Sequence, residues 1–196
     1  MAKRIFDIIF SLIGLLILSP FLLLFSLFII IGSGFPVFFI QKRVGKDNKD
    51  FGLFKFRTMK KDSDKAGLLT VGGRDSRITG IGYFLRKYKL DELPQLLNVL
   101  FGNMSLVGPR PEVRKYVDMY NQEQKKVLLV KPGITDLASL EYFSENDLLA
   151  KSSEPEQTYI NEIMPAKLEL NKKYISQMGL RTDLKIILRT LKRIVS

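Results

Sequence analysis

Asp91 and Glu92 stand side by side in Lys89-Leu90-Asp91-Glu92-Leu93-Pro94, and the chain offers few other routes to chemistry. It contains no cysteine and no histidine, which excludes thiolate attack, Ser-His relays and zinc-based hydrolysis. What remains is carboxylates, lysines, arginines, hydroxyls and a hard cation bound by oxygen. Position alone also fits plain helix capping, because Asp and Glu are favoured where the apolar run Leu93, Leu96, Leu97, Leu100 begins. The neighbourhood points further. Arg86, Lys87 and Lys89 precede the pair, and Arg57, Arg77 and Arg110 add to them across loops. That exceeds what two carboxylates need. Two ionised carboxylates among surplus cations suit phosphates together with a divalent cation.

Weaker patterns are set aside. Asp62-Ser63-Asp64 has the D-x-D form of a metal-binding pair but sits in a lysine-rich loop and reads as solvated. Gly80-Ile81-Gly82 lacks the third glycine of a dinucleotide fingerprint, and there is no G-x-x-x-x-G-K-[ST] phosphate loop.

The elements that must position these groups follow from composition and period. At 196 residues and 22.5 kDa, with 46% hydrophobic and 26% charged residues, the chain can bury one core. With 31 Lys and Arg against 20 Asp and Glu, the net charge of +11 calls for an anionic partner. The spread is uneven, since no charged side chain occurs between Asp7 and Lys42. This apolar run exceeds the roughly 20 residues of a membrane helix. Ser19-Pro20 interrupts it at the middle, where proline removes the amide that would bond the Leu16 carbonyl and Ser19 can satisfy it instead. Each apolar arm, Ile8 to Leu18 and Phe21 to Ile31, spans about 16 Å, roughly half the hydrocarbon thickness. Both flanks are basic, Lys3 and Arg4 before and Lys42, Arg43 and Lys46 after. The expectation is a proline-bent re-entrant helix, with a straight, kinked spanning helix as the alternative. Residues 1–36 form this membrane unit and 37–196 a cytoplasmic unit.

In the second unit, Val37–Arg43 and Phe51–Thr58 read as strands of a hairpin. Phe54 and Phe56 share one face and Lys55 and Arg57 the other. Helices are expected at Ile81–Tyr88, Leu93–Leu100, Glu112–Lys126 and Gln157–Met178, with Ser144–Glu156 irregular. Arg110 is held extended between Pro109 and Pro111. Asp183–Ile194 is a basic amphipathic helix that either packs its apolar stripe inward or lies at a membrane surface. The fold class is α+β, mainly helical, with interfacial amphipathic helices. A nucleic-acid partner is disfavoured, because basic and aromatic residues are not interleaved.

Over essentially its full length the chain resembles the monotopic bacterial sugar transferases, small phosphoglycosyl transferases acting on polyprenyl phosphate. The resemblance rests on Ser19-Pro20 in the apolar N-terminus, Pro36 to Gly45, Lys55-Phe56-Arg57-Thr58-Met59, Leu90-Asp91-Glu92-Leu93-Pro94-Gln95-Leu96, Met104 to Pro111 and Lys131-Pro132-Gly133-Ile134-Thr135. It implies transfer of a sugar phosphate from a UDP-sugar donor to undecaprenyl phosphate with release of UMP, in the first membrane step of glycoconjugate assembly. It implies a requirement for Mg²⁺, placed by Asp91 and Glu92, and a place on the cytoplasmic face of a bacterial inner membrane among phospholipids. Asp91 would be the nucleophile that holds the phospho-sugar covalently, with Glu92 as its partner. Arg110, Lys55 and Arg57 would bind phosphate, with Arg77 and Arg86 as further substrate-binding cations. Two positions depart from the family pattern: Lys89 replaces a small hydroxyl residue, and Asp136 replaces a glycine. The competing class is a membrane-anchored scaffold that binds anionic lipids without catalysis.

Overall fold

The computed structural model describes residues 1–61, 63 and 75–195. Asp62, Asp64 and most of the loop beyond them lie outside the described residues, so the D-x-D reading is not addressed.

Helix α1 runs unbroken from Ala2 to Ser33 with Pro20 inside it. The carbonyl orphaned by the proline is satisfied as expected, because the Ser19 hydroxyl donates to the Leu16 oxygen at 2.8 Å. At 1.5 Å per residue such a helix is about 48 Å long. Most of its surface is bare hydrocarbon, including Ile5, Phe10, Leu16, Phe21, Leu23 and Ile31. One stripe is covered. Asp7, Ser11 and Ile29 are buried, and Ile29 joins Phe56 and Leu85 in a core cluster flanked by Leu22 and Phe25.

Both ends of α1 are tied to the rest of the molecule. At the start, the Arg4 guanidinium donates to the carbonyls of Val99 (2.6 Å) and Leu100 (2.9 Å), and the Asp7 carboxylate accepts from Ser105 and the Leu106 amide. The Lys3 ammonium donates to Val107 O and to the buried Asp183, which also accepts from the Tyr174 hydroxyl. At the other end the buried Arg57 guanidinium donates to Ser33 and Gly34. A cation on the last carbonyls of a helix satisfies acceptors that have no partner within it.

Strands β1 (Phe38–Val44) and β2 (Asp50–Phe56) form the expected antiparallel hairpin, registered from Phe38 opposite Phe56 to Val44 opposite Asp50. Its turn places Asp47 and Asn48 at positive φ, a region Asn and Asp tolerate. Helix α2 (Gly80–Lys87) starts at Thr79, whose hydroxyl accepts from the Gly82 amide. A single 3₁₀ turn, Leu90–Glu92, then leads into α3 (Gln95–Phe101). The fully buried Asn98 of α3 fastens it to the hairpin, accepting from Phe54 N and donating to Gly52 O.

Two three-residue strands, β3 (Ser105–Val107) and β4 (Gly133–Thr135), pair in parallel. Their backbones meet closely: a Cβ on Gly133 would lie 2.0 Å from Gly108 N. Glycine is required there, and the loop from Gly108 to Pro111 is held by that approach.

The helix expected over Glu112–Lys126 is instead the short α4 (Arg114–Val117) followed by a 3₁₀ stretch, Gln124–Leu129. Asn121 and Gln124 exchange side-chain to backbone hydrogen bonds, each accepting from the other's amide at 2.9 Å. This reciprocal cap starts a new turn inside the expected helix. Ser144–Glu156 is more regular than expected, containing α6 (Glu145–Ala150) and the start of α7 (Pro155–Thr158), after α5 (Leu137–Glu141). The long helix expected over Gln157–Met178 is present, continuous from α7 through a π turn at Tyr159–Ile163 into α8 (Met164–Ser176). Helix α9 (Leu180–Val195) buries Asp183 and Ile186 and turns Leu184, Leu188 and Leu191 outward. Of the expected apolar stripe, Ile187 packs inward against Val107, Tyr174 and Ile186, while Leu184, Leu188 and Leu191 do not.

Candidate active site

The turn carrying Asp91 and Glu92 is gripped from several elements. Arg110, from the loop after β3, forks onto both oxygens of Glu92, with Nη1 to Oε2 at 3.1 Å and Nη2 on Oε1. Lys55 of β2 reaches Oε1 at 3.2 Å. Arg110 is itself fixed: its amide donates to Asp136 Oδ2 at 3.1 Å, while Asp136 Oδ1 accepts from Ser139 N and caps α5. The departure at Asp136 thus bears directly on where Arg110 stands. Lys89 precedes the turn at φ 55 and rests its ammonium 5.2 Å from the Phe143 ring centre, over which the Arg193 guanidinium also lies.

Helix capping does not explain the pair. The residue at the start of α3 is Pro94, with no side-chain cap. Among the described residues, the Asp91 carboxylate makes no hydrogen bond or ion pair, although Asp91 is only 8% exposed. The two neighbours are therefore in opposite states. Burial pushes Glu92 up, but Arg110 and Lys55 outweigh it and hold the carboxyl well below its usual range. For Asp91, burial and then the adjacent Glu92 charge raise the carboxyl, against the pull of Lys55, Arg86 and Lys89. Ionisation by position at a helix start, expected for both, is replaced by pairing at Glu92 and is opposed at Asp91. Burial also lowers Lys55, with Glu92 opposing and Arg110 adding to it.

Of the cations expected at the site, Arg110 and Lys55 touch Glu92, and the charge of Arg86 acts on Asp91. Arg77 forks instead onto Asp75. Arg57 follows the last residue of β2, leaves the alternation there and grips the end of α1. Sequence reasoning missed Gln95, which is 1% exposed with Nε2 unpartnered, beside Arg43, Leu53 and Arg110 in a small cavity. It also missed Asn98. The available signal was a polar residue on an otherwise apolar helix.

A desolvated carboxylate, unpaired among the described residues and beside one neutralised by a bidentate arginine, is suited to attack on an electrophile already carrying negative charge. A family model described as bacterial sugar transferase matches residues 1–196. The chain belongs to the bacterial sugar transferase family. Among its relatives is a UDP-N-acetylgalactosamine-undecaprenyl-phosphate N-acetylgalactosaminephosphotransferase of Aeromonas hydrophila, 36% identical over 99% of this chain and 44% of that protein. A UDP-glucose:undecaprenyl-phosphate glucose-1-phosphate transferase of Escherichia coli is 36% identical over 96% of this chain and 39% of that protein. An uncharacterized sugar transferase, EpsL, of Bacillus subtilis is 38% identical over 98% of this chain and 87% of its own length. The chain thus spans about two fifths of the first two and most of the third.

Proposed function

We propose that this bacterial sugar transferase moves a sugar phosphate from a UDP-sugar to undecaprenyl phosphate at the cytoplasmic face of the inner membrane. The observation that carries this reading is the Asp91 carboxylate, without a partner among the described residues, beside the clamped Glu92. One Asp91 oxygen attacks the donor's β-phosphorus. The bond from that phosphorus to the bridging oxygen breaks, and UMP leaves with the electron pair. The lipid phosphate then attacks the same phosphorus and returns Asp91 as a carboxylate. Neither displacement needs a base once Asp91 and the phosphate monoester are ionised, which agrees with a chain lacking histidine. Arg110 and Lys55 neutralise Glu92, so that a second anion does not face the incoming diphosphate.

Among the described residues no group of three metal-binding side chains occurs, and both Glu92 oxygens are engaged. The donor set fits Mg²⁺ that keeps water and substrate phosphate as most of its ligands, with Asp91 as its protein carboxylate. Bound there, Mg²⁺ supplies charge neutralisation on the diphosphate.

The membrane placement is supported by the bare hydrocarbon of α1 and by the outward Leu184, Leu188 and Leu191 of α9 beside Lys185, Arg189 and Lys192. A re-entrant rather than spanning course is supported by the attachment of both ends of α1 to one body, at Lys3, Arg4 and Asp7 and again at Ser33. A lipid-binding scaffold would leave the Glu92 clamp and the open Asp91 without a use.

Intact-protein mass spectrometry after mixing with donor and Mg²⁺, without acceptor, should show a gain equal to the sugar phosphate. Asp91→Asn should show none and should lose UMP release by roughly 10³-fold or more. Retained turnover in that variant would sink the assignment.

A further inference from the structure

A second cavity adjoins the site and has not been given a use. It is about 530 Å³ with its open mouth and is walled mainly by apolar side chains, among them Val44, Val127 and Leu168, with Arg110 on one side. Arg110 therefore borders this cavity and forks onto Glu92 as well. Part of that volume is open to solvent, so a ligand would occupy the mouth with one edge directed inward.

Two polar groups there lack partners. Asn171 of α8 is 4% exposed, lines the cavity, and has a buried Oδ1 with no hydrogen bond. Tyr120 is 7% exposed, and among the described residues its hydroxyl also has no partner. Buried amides are almost always satisfied, so an unsatisfied one lining a cavity points to a missing ligand or water. The other polar groups on this wall are already paired: Glu112 with Arg43 and Tyr159, and Lys167 with Glu145.

The chemistry that matches is a flat, mostly apolar ring with a donor and an acceptor side by side on one edge. A carboxamide offers one acceptor and two donors in a plane. It pairs in two hydrogen bonds with the N3–H and O4 of uracil. We propose that this cavity takes the pyrimidine base of the nucleotide donor, with Asn171 reading its edge and Tyr120 supplying a third polar contact. The inference rests on the nucleotide-sugar reading above and adds the base subsite to it. It also places Arg110 between base and diphosphate.

The test uses the full chain in nanodiscs, with UMP and inorganic pyrophosphate as separate probes. Wild type should bind both, with saturation transfer to the H5 and H6 protons of uracil. Asn171→Leu should weaken UMP at least about 10-fold while leaving pyrophosphate unchanged, since losing a paired polar group strands its partner. Tyr120→Phe removes only a hydroxyl that holds nothing in the fold, and it should weaken UMP about 3-fold. Unchanged UMP affinity in both Asn171→Leu and Tyr120→Phe would overturn the base subsite and leave the donor reading standing. Wild type that binds neither probe would remove both.

Discussion

Two half-buried glutamates flank the Gly108–Pro111 loop, and each is held by an arginine. Glu112 is gripped by Arg43 at 2.8 Å, by the Tyr159 hydroxyl and by its neighbour's amide, Val113 N, at 2.8 Å. Glu92 is gripped by Arg110 and Lys55. Both carboxyls are held below the ordinary range for the same reason, burial outweighed by cations. The difference lies in what stands beside them. Around Glu112 the chain has packed Val113, Tyr116, Val117, Tyr159 and Leu168 into its largest core cluster. Beside Glu92 stands Asp91, desolvated and without a partner among the described residues. Charge density alone does not separate the two; a carboxylate left without a partner among the described residues, beside the clamped one, does.

That contrast can be broken by mutation. Arg110→Lys keeps the charge but removes the two-pronged grip on Glu92, and kcat/KM should fall roughly 10²-fold with little change in melting temperature. An equal loss from Arg43→Lys, at the Glu112 side, would erase the distinction. Glu112→Gln should do the opposite, lowering stability by about 1–3 kcal/mol while kcat at saturating donor persists in the folded fraction. Its pH dependence has a definite sign. The folded carboxyl lies below its usual 4.5, so its stabilisation is complete above that value and is lost as pH falls through the folded value. The gap in melting temperature between wild type and Glu112→Gln should therefore narrow on acidification below pH 4.5. The smallest effect is expected at Asp75→Asn, where a pair two residues apart in sequence lies outside both clusters. A change under about 1 kcal/mol in stability, with unaltered turnover, would separate Arg77 from the substrate-binding cations. A large loss of turnover would return it to them.

Much of this was legible in the sequence. The hairpin followed from alternation, the Asp91-Glu92 pair from its setting, and the Ser19 compensation from the proline four residues after Leu16. What escaped has physical causes. Strands β3 and β4 are three residues each, too short to show a period, and their pairing is non-local. The expected helix over Glu112–Lys126 had a plausible apolar spacing in Tyr116, Val117, Tyr120 and Val127, but Asn121-x-x-Gln124 is a start signal within it. Arg57 looked like the companion of Lys55, and the alternation that paired them stops one residue earlier, at Phe56. The clamp on Glu92 joins residues far apart in the chain, and no local pattern reports that.

The union of α1 with the body changes how the enzyme can be handled. Ile29 lies in the same cluster as Phe56 and Leu85, and Leu96 of α3 packs against Gly14. Cutting away the first 34 residues would not release a soluble catalytic fragment. It would uncover a greasy seam and leave the Arg57 guanidinium facing no acceptor, so truncation should yield aggregates, and purification calls for detergent or lipid from the start.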